Sequence, residues 1–370
     1  MNAIVKIKRF VCQCGMFFML IISISSCQEA YTDDDTTNDK KVLVVNGEIT
    51  DKPGPYKVTL TYASDFGSDK VTYVSGATVF LHDDKGKNVP MTEKTRGVYS
   101  TDSAAIQGTV GRTYYLYIKL LDKTLYESKK QKLVDRDYTD SIYAEYGTYD
   151  YTATGTDGNI IKKTLEGIYV YVDIKSNSPE TKCFYFSKKV VWQYTRSLNI
   201  PGQMPQPMYF RQVINADNLP DAKATQLYNG MQVIKKHLLF FVPYNVDNTN
   251  GIDSLNWGPY SSQGWVSYVF ISGITKEAYK FYNDAAAQLS SGMQLFDPIP
   301  SQVNSNVYCK SDSTIPVLGL FKVYTQKNKY KAFMWYPTLK HVIEKDVIDP
   351  GPLVNDTFIS RPQPYWVFFN

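Results

Sequence analysis

The stretch Tyr56-Lys-Val-Thr-Leu-Thr-Tyr62 decides the fold class. Tyr56, Val58, Leu60 and Tyr62 alternate with Lys57, Thr59 and Thr61, which puts apolar groups on one face of a strand and polar groups on the other. Working outward, Ala77-Thr-Val-Phe-Leu-His82 reads as a further strand, and Asp83-Asp84-Lys85-Gly86 has the chemistry of a turn. Thr113 to Leu121 is apolar on both faces, as expected of a strand in the middle of a sandwich, and Asp122-Lys123 turns the chain into Thr124–Ser128. Short strands with regular turns imply an antiparallel β-sandwich over residues 41–133.

Lys129-Lys130-Gln131-Lys132 breaks this pattern, and a larger β-rich domain is expected over residues 134–370. Strands are readable there at Ser141–Tyr146, Gly167–Ile174, Lys182–Tyr194, Met231–Pro243, Trp265–Ser272, Val317–Tyr324 and Lys329–Tyr336. One helix is expected over about 275–291. Thr275 is a suitable N-cap, Glu277 falls in the positive first turn and Gly292 can close the C-terminus. Its apolar stripe is Ala278, Phe281, Tyr282, Ala285 and Leu289, a spacing that predicts packing on a sheet. The fold class is therefore mainly β. Thirty Tyr against eighteen Phe and five Trp agree, because tyrosine suits half-buried strands and amphipathic contact surfaces.

The N-terminus reads as an export leader of 26 residues. Lys6, Lys8 and Arg9 form a positive start, Phe10 to Ile24 an apolar stretch too short to span a bilayer, and Ile24-Ser-Ser-Cys27 places small residues before a cysteine. That is a lipobox pattern, so Cys27 is the expected lipidation site and membrane anchor. Residues 27–40, with Asp33, Asp34 and Asp35 in a row, read as a solvated acidic tether. Acidic residues so close to the lipid cysteine resemble the signal that displays Bacteroidota lipoproteins on the cell surface, and Gln28 is not the Asp of inner-membrane retention.

Removing the leader takes three cations from a net charge of +4, leaving about +1. A surface so balanced excludes a broad phosphate-binding face, and no nucleic-acid partner is expected.

Sequence-visible catalytic patterns are missing. His82, His237 and His341 have no ligand-spaced neighbours, and there is no His-Glu-x-x-His, paired Cys-x-x-Cys, Gly-x-Ser-x-Gly elbow, Walker loop or dinucleotide fingerprint. No metal or cofactor is implied. A carboxylate pair placed by the fold stays open, because glycosidases position their two acids without a sequence spacing. Asp247-Asn-Thr-Asn-Gly-Ile-Asp253 offers oxygen ligands but lacks the EF-hand register, and reads as an Asx-rich loop. Cys183 and Cys309 remain beyond Cys27, either as a disulfide or as two buried thiols.

Several blocks resemble the Bacteroidota lipoprotein family catalogued as domain of unknown function 4249. They begin with Val42-Leu-Val-Val-Asn-Gly-Glu-Ile-Thr-Asp-Lys-Pro-Gly-Pro-Tyr-Lys-Val-Thr-Leu60 and Gly76-Ala-Thr-Val. Lys182-Cys-Phe-Tyr-Phe to Trp192-Gln-Tyr194, the helix with Leu295-Phe-Asp-Pro-Ile-Pro300, Asn304-Ser-Asn306 and Leu318-Gly-Leu-Phe321 continue the order. The resemblance implies an accessory lipoprotein of the outer membrane, partnering a TonB-dependent receptor in nutrient uptake, and it implies no catalytic residues. The first region is also similar to the small Ig-like sandwich that precedes many receptors and carboxypeptidases.

Candidate contact residues are aromatic. Tyr143, Tyr146, Tyr149 and Tyr151 crowd what reads as a Gly/Thr-rich loop, and Trp257 and Tyr260 lie in another. Such side chains stack on sugars or anchor a protein interface, while plugging the sandwich ends is the competing role. Three functions stay open: a non-enzymatic partner of a TonB-dependent receptor, a freestanding glycan-binding lipoprotein, and a hydrolase with an unrecognised acid pair.

Overall fold

The alternation at Tyr56–Tyr62 becomes a strand whose Val58 and Leu60 are buried while Lys57 is exposed. The computed structural model describes residues 41–64, 70–154, 158–198, 206–215, 219–243, 265–290, 303–336 and 341–348. The leader, Cys27, the tether, the 247–253 loop, Trp257, Tyr260 and Gly292 lie outside the described residues.

The N-terminal region holds β1 (Leu43–Thr50), β2 (Lys57–Tyr62), β3 (Thr72–Tyr73), β4 (Thr78–Asp83), β5 (Asn88–Thr95), β6 (Val98–Ser100), β7 (Thr113–Lys119), β8 (Leu125–Ser128) and β9 (Gln131–Lys132). Then come β10 (Thr139–Thr154), β11 (Ile160–Ser176), β12 (Cys183–Leu198), β13 (Gln206–Asn215), β14 (Ala222–Ala224), β15 (Gln226–Tyr228) and β16 (Met231–Pro243). β17 (Trp265–Ile274), α1 (Lys276–Ser290), β18 (Val307–Cys309), β19 (Val317–Tyr336) and β20 (His341–Asp346) complete the described elements. The fold is mainly β with one helix among the described residues.

The first sandwich is one sheet doubled over. It runs β1-β2-β6-β5-β4-β7-β8, and β5 pairs with β6 on one side and β4 on the other. Leu43, Val45, Leu60, Leu81, Leu116 and Ile118 meet inside. β7 is central by pairing, yet the expected burial of both its faces is corrected. Tyr114, Leu116 and Ile118 point inward, whereas Tyr115 is half-buried on the outer face, where it stacks on His82 at 4.8 Å, and Leu121 is exposed.

The described residues beyond 134 do not stand apart from the first sandwich. β19 lies parallel to β1 from Leu43↔Val317 to Thr50↔Tyr324, and β18 adds to β8. Val307, Cys309, Val317, Phe321 and Val323 enter the first core, and Val42–Asn370 form one compact unit. The reason is topological: a parallel partner needs a long crossover, so the strand that covers the open edge of β1 arrives from far along the chain. Asn306 pins this return, its amide donating to Phe321 O and its carbonyl accepting from Phe321 N, both at 2.8 Å.

Val317–Tyr324 and Lys329–Tyr336, read as two strands, are the single twenty-residue β19. Thr325-Gln-Lys-Asn328 has turn-like composition, but Thr325 is buried and the segment stays paired to β17. The first half of β19 therefore serves the sandwich core. Its second half serves a second core, where β12, β17 and β19 face a four-stranded sheet in the order β10-β11-β16-β15. Ile168, Val170, Val172 and Ile174 of β11 are at most 1% exposed there.

Thr275 caps α1, its hydroxyl accepting from Ala278 N at 3.3 Å and donating to the buried Gln131 at 2.7 Å. Ala278, Phe281 and Tyr282 pack near Cys183, Leu320 and Tyr324. The far end of the stripe does not follow, and Leu289 is exposed. Cys183 and Cys309 sit buried in different cores as free thiols.

Candidate binding surface

β10 is a sixteen-residue strand, so the tyrosines assigned to a loop lie on a regular ladder. Alternation then divides them. Tyr146 turns inward and packs with Ala144 against the second core, while Tyr143, Tyr149 and Tyr151 share the opposite, outward face. On β11 the same division sends Val170 and Val172 inward and Tyr169 and Tyr171 outward. Phe241 of β16 pairs with Tyr169 and joins the outward set.

Six rings form an unbroken strip. In the order Tyr151, Tyr149, Phe241, Tyr169, Tyr171, Tyr143, successive centroids are 6.4, 5.6, 4.6, 6.1 and 5.7 Å apart. Their planes differ by 10°, 34°, 45°, 18° and 35°, so each ring lies broadly side by side with the next. Pairs in the second core are mixed, with Tyr138–Phe184 at 76° and Tyr268–Tyr330 at 71° edge to face, and Phe184–Phe186 at 29° and Trp265–Phe333 at 26° stacked.

Two glycines pave the strip. A Cβ on Gly147 would fall 2.8 Å from Tyr169 Cε2, and one on Gly167 would fall 2.7 Å from Phe241 Cε2. Each ring therefore lies across a bare stretch of backbone and shows its other side to solvent, the pairing by which an aromatic covers a strand glycine. Tyr169 is fixed further by its hydroxyl, which donates to Thr148 O at 2.7 Å. Tyr149 is 46% exposed, and Tyr143, Tyr151, Tyr169, Tyr171 and Phe241 are half-buried.

On the outward face Lys236 reaches Glu145 at 2.5 Å and Lys163 stands opposite Tyr151, whereas the Lys162–Asp150 pair at 2.8 Å has the other parity and lies on the reverse face. Asp173 accepts from Lys236 N at 2.6 Å and from the Tyr143 hydroxyl at 3.3 Å. The Tyr143 phenol is pushed up to about 12, by burial first and then by the Asp173 charge. A register shift between β11 and β16 and a positive φ of 47° at Lys236 put its ammonium 5.0 Å from the Tyr171 ring centre.

His237, which has no partner by spacing, gains one through the fold. Its Nε2 hydrogen bonds to Asp221 Oδ1 at 2.7 Å, and Lys188 reaches Asp221 Oδ2 at 2.6 Å. Burial alone would raise the Asp221 carboxyl, but the His237 hydrogen bond and the Lys188 charge hold it below its ordinary value. The triad is buried beside Phe186 and joins β12 to β16, a structural clamp rather than an open site. His82 lies against Tyr115 and bonds Asn88, and the side chain of His341 lies outside the described residues. Among the described residues no group of three or more His, Cys, Asp or Glu side chains is gathered to hold a metal ion.

The structure thus unites Tyr143, Tyr149 and Tyr151 and separates Tyr146 from them. Tyr169, Tyr171 and Phe241 were missed as contact residues because their strands read as core. The available signal was period two: tyrosine at odd positions on both strands, with one glycine in each at the same parity.

The family model described as domain of unknown function (DUF4249) matches residues 29–330, well over half of the chain. No curated protein matches. The chain belongs to the DUF4249 family.

Proposed function

We propose that this chain is an outward-facing, lipid-anchored protein of the outer membrane that partners a TonB-dependent receptor and holds a nutrient at its entrance. It acts by binding, without a cofactor or a catalytic step of its own. The observation that carries this function is the strip of six rings on the solvent side of a sheet whose other side is core. Rigid aromatic rings supply large contact area at low conformational cost, and a strip of them facing outward is a contact surface in waiting.

The lipobox at Cys27 and the acidic tether support the location, and family membership supports the receptor partnership through the resemblance drawn above. Radiolabelled palmitate is expected to enter the wild-type chain and not Cys27→Ala. Affinity purification in mild detergent is expected to recover a receptor barrel. Equal labelling of both chains removes the anchor, and repeated purification without a barrel removes the partnership.

A further inference from the structure

We infer that the outward strip of β10, β11 and β16 binds a neutral glycan chain along its length. This rests on the reading of the strip as a capture surface and adds the chemical class of what it captures.

The inference starts from ring orientation. No neighbouring pair in the strip exceeds 45°, so the six rings keep a common broad side toward solvent. Gly147 and Gly167 let two of the rings lie down on the backbone, so the surface presented is broad, flat and π-faced. A pyranose chain is its complement, because each sugar offers a flat face of C–H groups that stacks on an aromatic ring and hydroxyls at its rim. The strip runs from Tyr143 to Tyr151 along one strand, a length of about 27 Å at the usual rise per residue, which suits a linear ligand.

Charge selects among ligands that stack. Single-stranded nucleic acid also stacks on aromatic platforms, but it requires a positive groove along its backbone. By parity the strip's face carries Lys163 and, from the bulge, Lys236 against Glu145 and Asp173, two charges of each sign. An anionic chain gains no net field and a cationic one no net acid, so an uncharged ligand fits. The rim nevertheless carries groups that exchange hydrogen bonds with hydroxyls: Asp173, Glu145 and the phenols themselves. A purely aliphatic surface would leave these groups dry. A glycan satisfies both the ring faces and the rim.

The test is affinity electrophoresis of the full chain through gels containing a neutral β-glucan, xylan, mannan or galactan, with heparin as the charged comparison. Retardation is expected in at least one neutral gel, insensitive to salt. Tyr149→Ala with Tyr151→Ala is expected to weaken it by about tenfold or more, while Tyr149→Phe, which keeps the ring, retains it. An unchanged thermal midpoint shows that these exposed substitutions leave the fold intact, and Tyr115→Ala in the first sandwich is expected to leave retardation unchanged. Absence of retardation in all four neutral gels, retardation that the double variant keeps, or salt-sensitive retardation in heparin alone overturns the inference. If the wild type binds no glycan but the double variant stops recovering the receptor barrel, the strip is a protein interface: the glycan inference falls and the proposed partnership stands.

Discussion

Gly319→Ala tests whether the end of the chain completes the first sandwich. Gly319 pairs with Val45 across the parallel β1–β19 seam and has a φ of +97°. An L-residue in left-handed backbone space costs about 1–2 kcal/mol. A Cβ there would also fall 2.8 Å from the Val45 carbonyl carbon and 2.9 Å from its nitrogen, and these are backbone atoms that cannot rotate away. Forcing the strands apart adds a cost on the scale of overpacking, about 1–3 kcal/mol. Gly86→Ala supplies the reference, because Gly86 has a φ of +81° and nothing within 4 Å. Its loss should stop at the conformational cost of about 1–2 kcal/mol. Urea unfolding of the chain lacking its first 27 residues reads both. All five tryptophans lie beyond residue 134, so fluorescence reports the second region alone, while circular dichroism reports the whole. In one cooperative unit both signals shift together for Gly319→Ala, and further than for Gly86→Ala. Equal midpoints for the two variants, or a fluorescence transition left in place, would falsify the shared seam.

Asp221→Ala removes the anion that joins Lys188 to His237 and breaks a buried ion pair, so a loss of about 3 kcal/mol is expected in the same unfolding assay. Because the folded Asp221 carboxyl lies below its ordinary value of 3.8, its stabilisation is present above that value and is lost as pH falls through the lowered one. The gap between wild type and variant should therefore be constant near neutral pH and close in acid. Cys183 and Cys309 are expected to resist a thiol reagent in the native chain and to react together in denaturant, with burial raising the Cys183 thiol; a non-reducing peptide map showing them joined would contradict the structure. Thr275→Ala takes the cap from α1 and a partner from buried Gln131, and a loss of about 1–2 kcal/mol is expected; a change of a few tenths would show that the cap is dispensable.

Strand content was legible because alternation is local. Tyr56–Tyr62 carries its inward and outward faces in seven residues, and the helix announces itself through Thr275, Glu277 and Ala278. What escaped was set by distance along the chain. Nothing near β1 says that its open edge is covered by residues 317–324, because parallel pairing leaves no turn between the partners. Thr325–Asn328 misled for the opposite reason: its polar composition signals a turn, but β17 and the buried Thr325 hold it extended. Tyr143–Tyr151 was recognised by composition and misplaced by conformation. Gly147 and Thr148 suggested a loop, when the glycine is the place where the Tyr169 ring lies.

That glycine also belongs to what holds the strip rigid. The same strands supply both surfaces: Ile168, Val170 and Val172 seal the second core while Tyr169 and Tyr171, between them, build the strip. A slip of one residue would exchange the two sets and bury phenols in place of aliphatics, so core burial fixes the ring positions as strictly as it fixes the fold. The loosest way to hold six rings would be on a loop, where each costs ordering entropy on binding. On β10, β11 and β16 that cost is met during folding, by contacts on the far side of the sheet. Tyr146 marks the limit of the arrangement. It has the same side chain three residues from Tyr143 and Tyr149, but opposite parity assigns it to the core, so position in the pleat rather than residue type decides which tyrosines face outward.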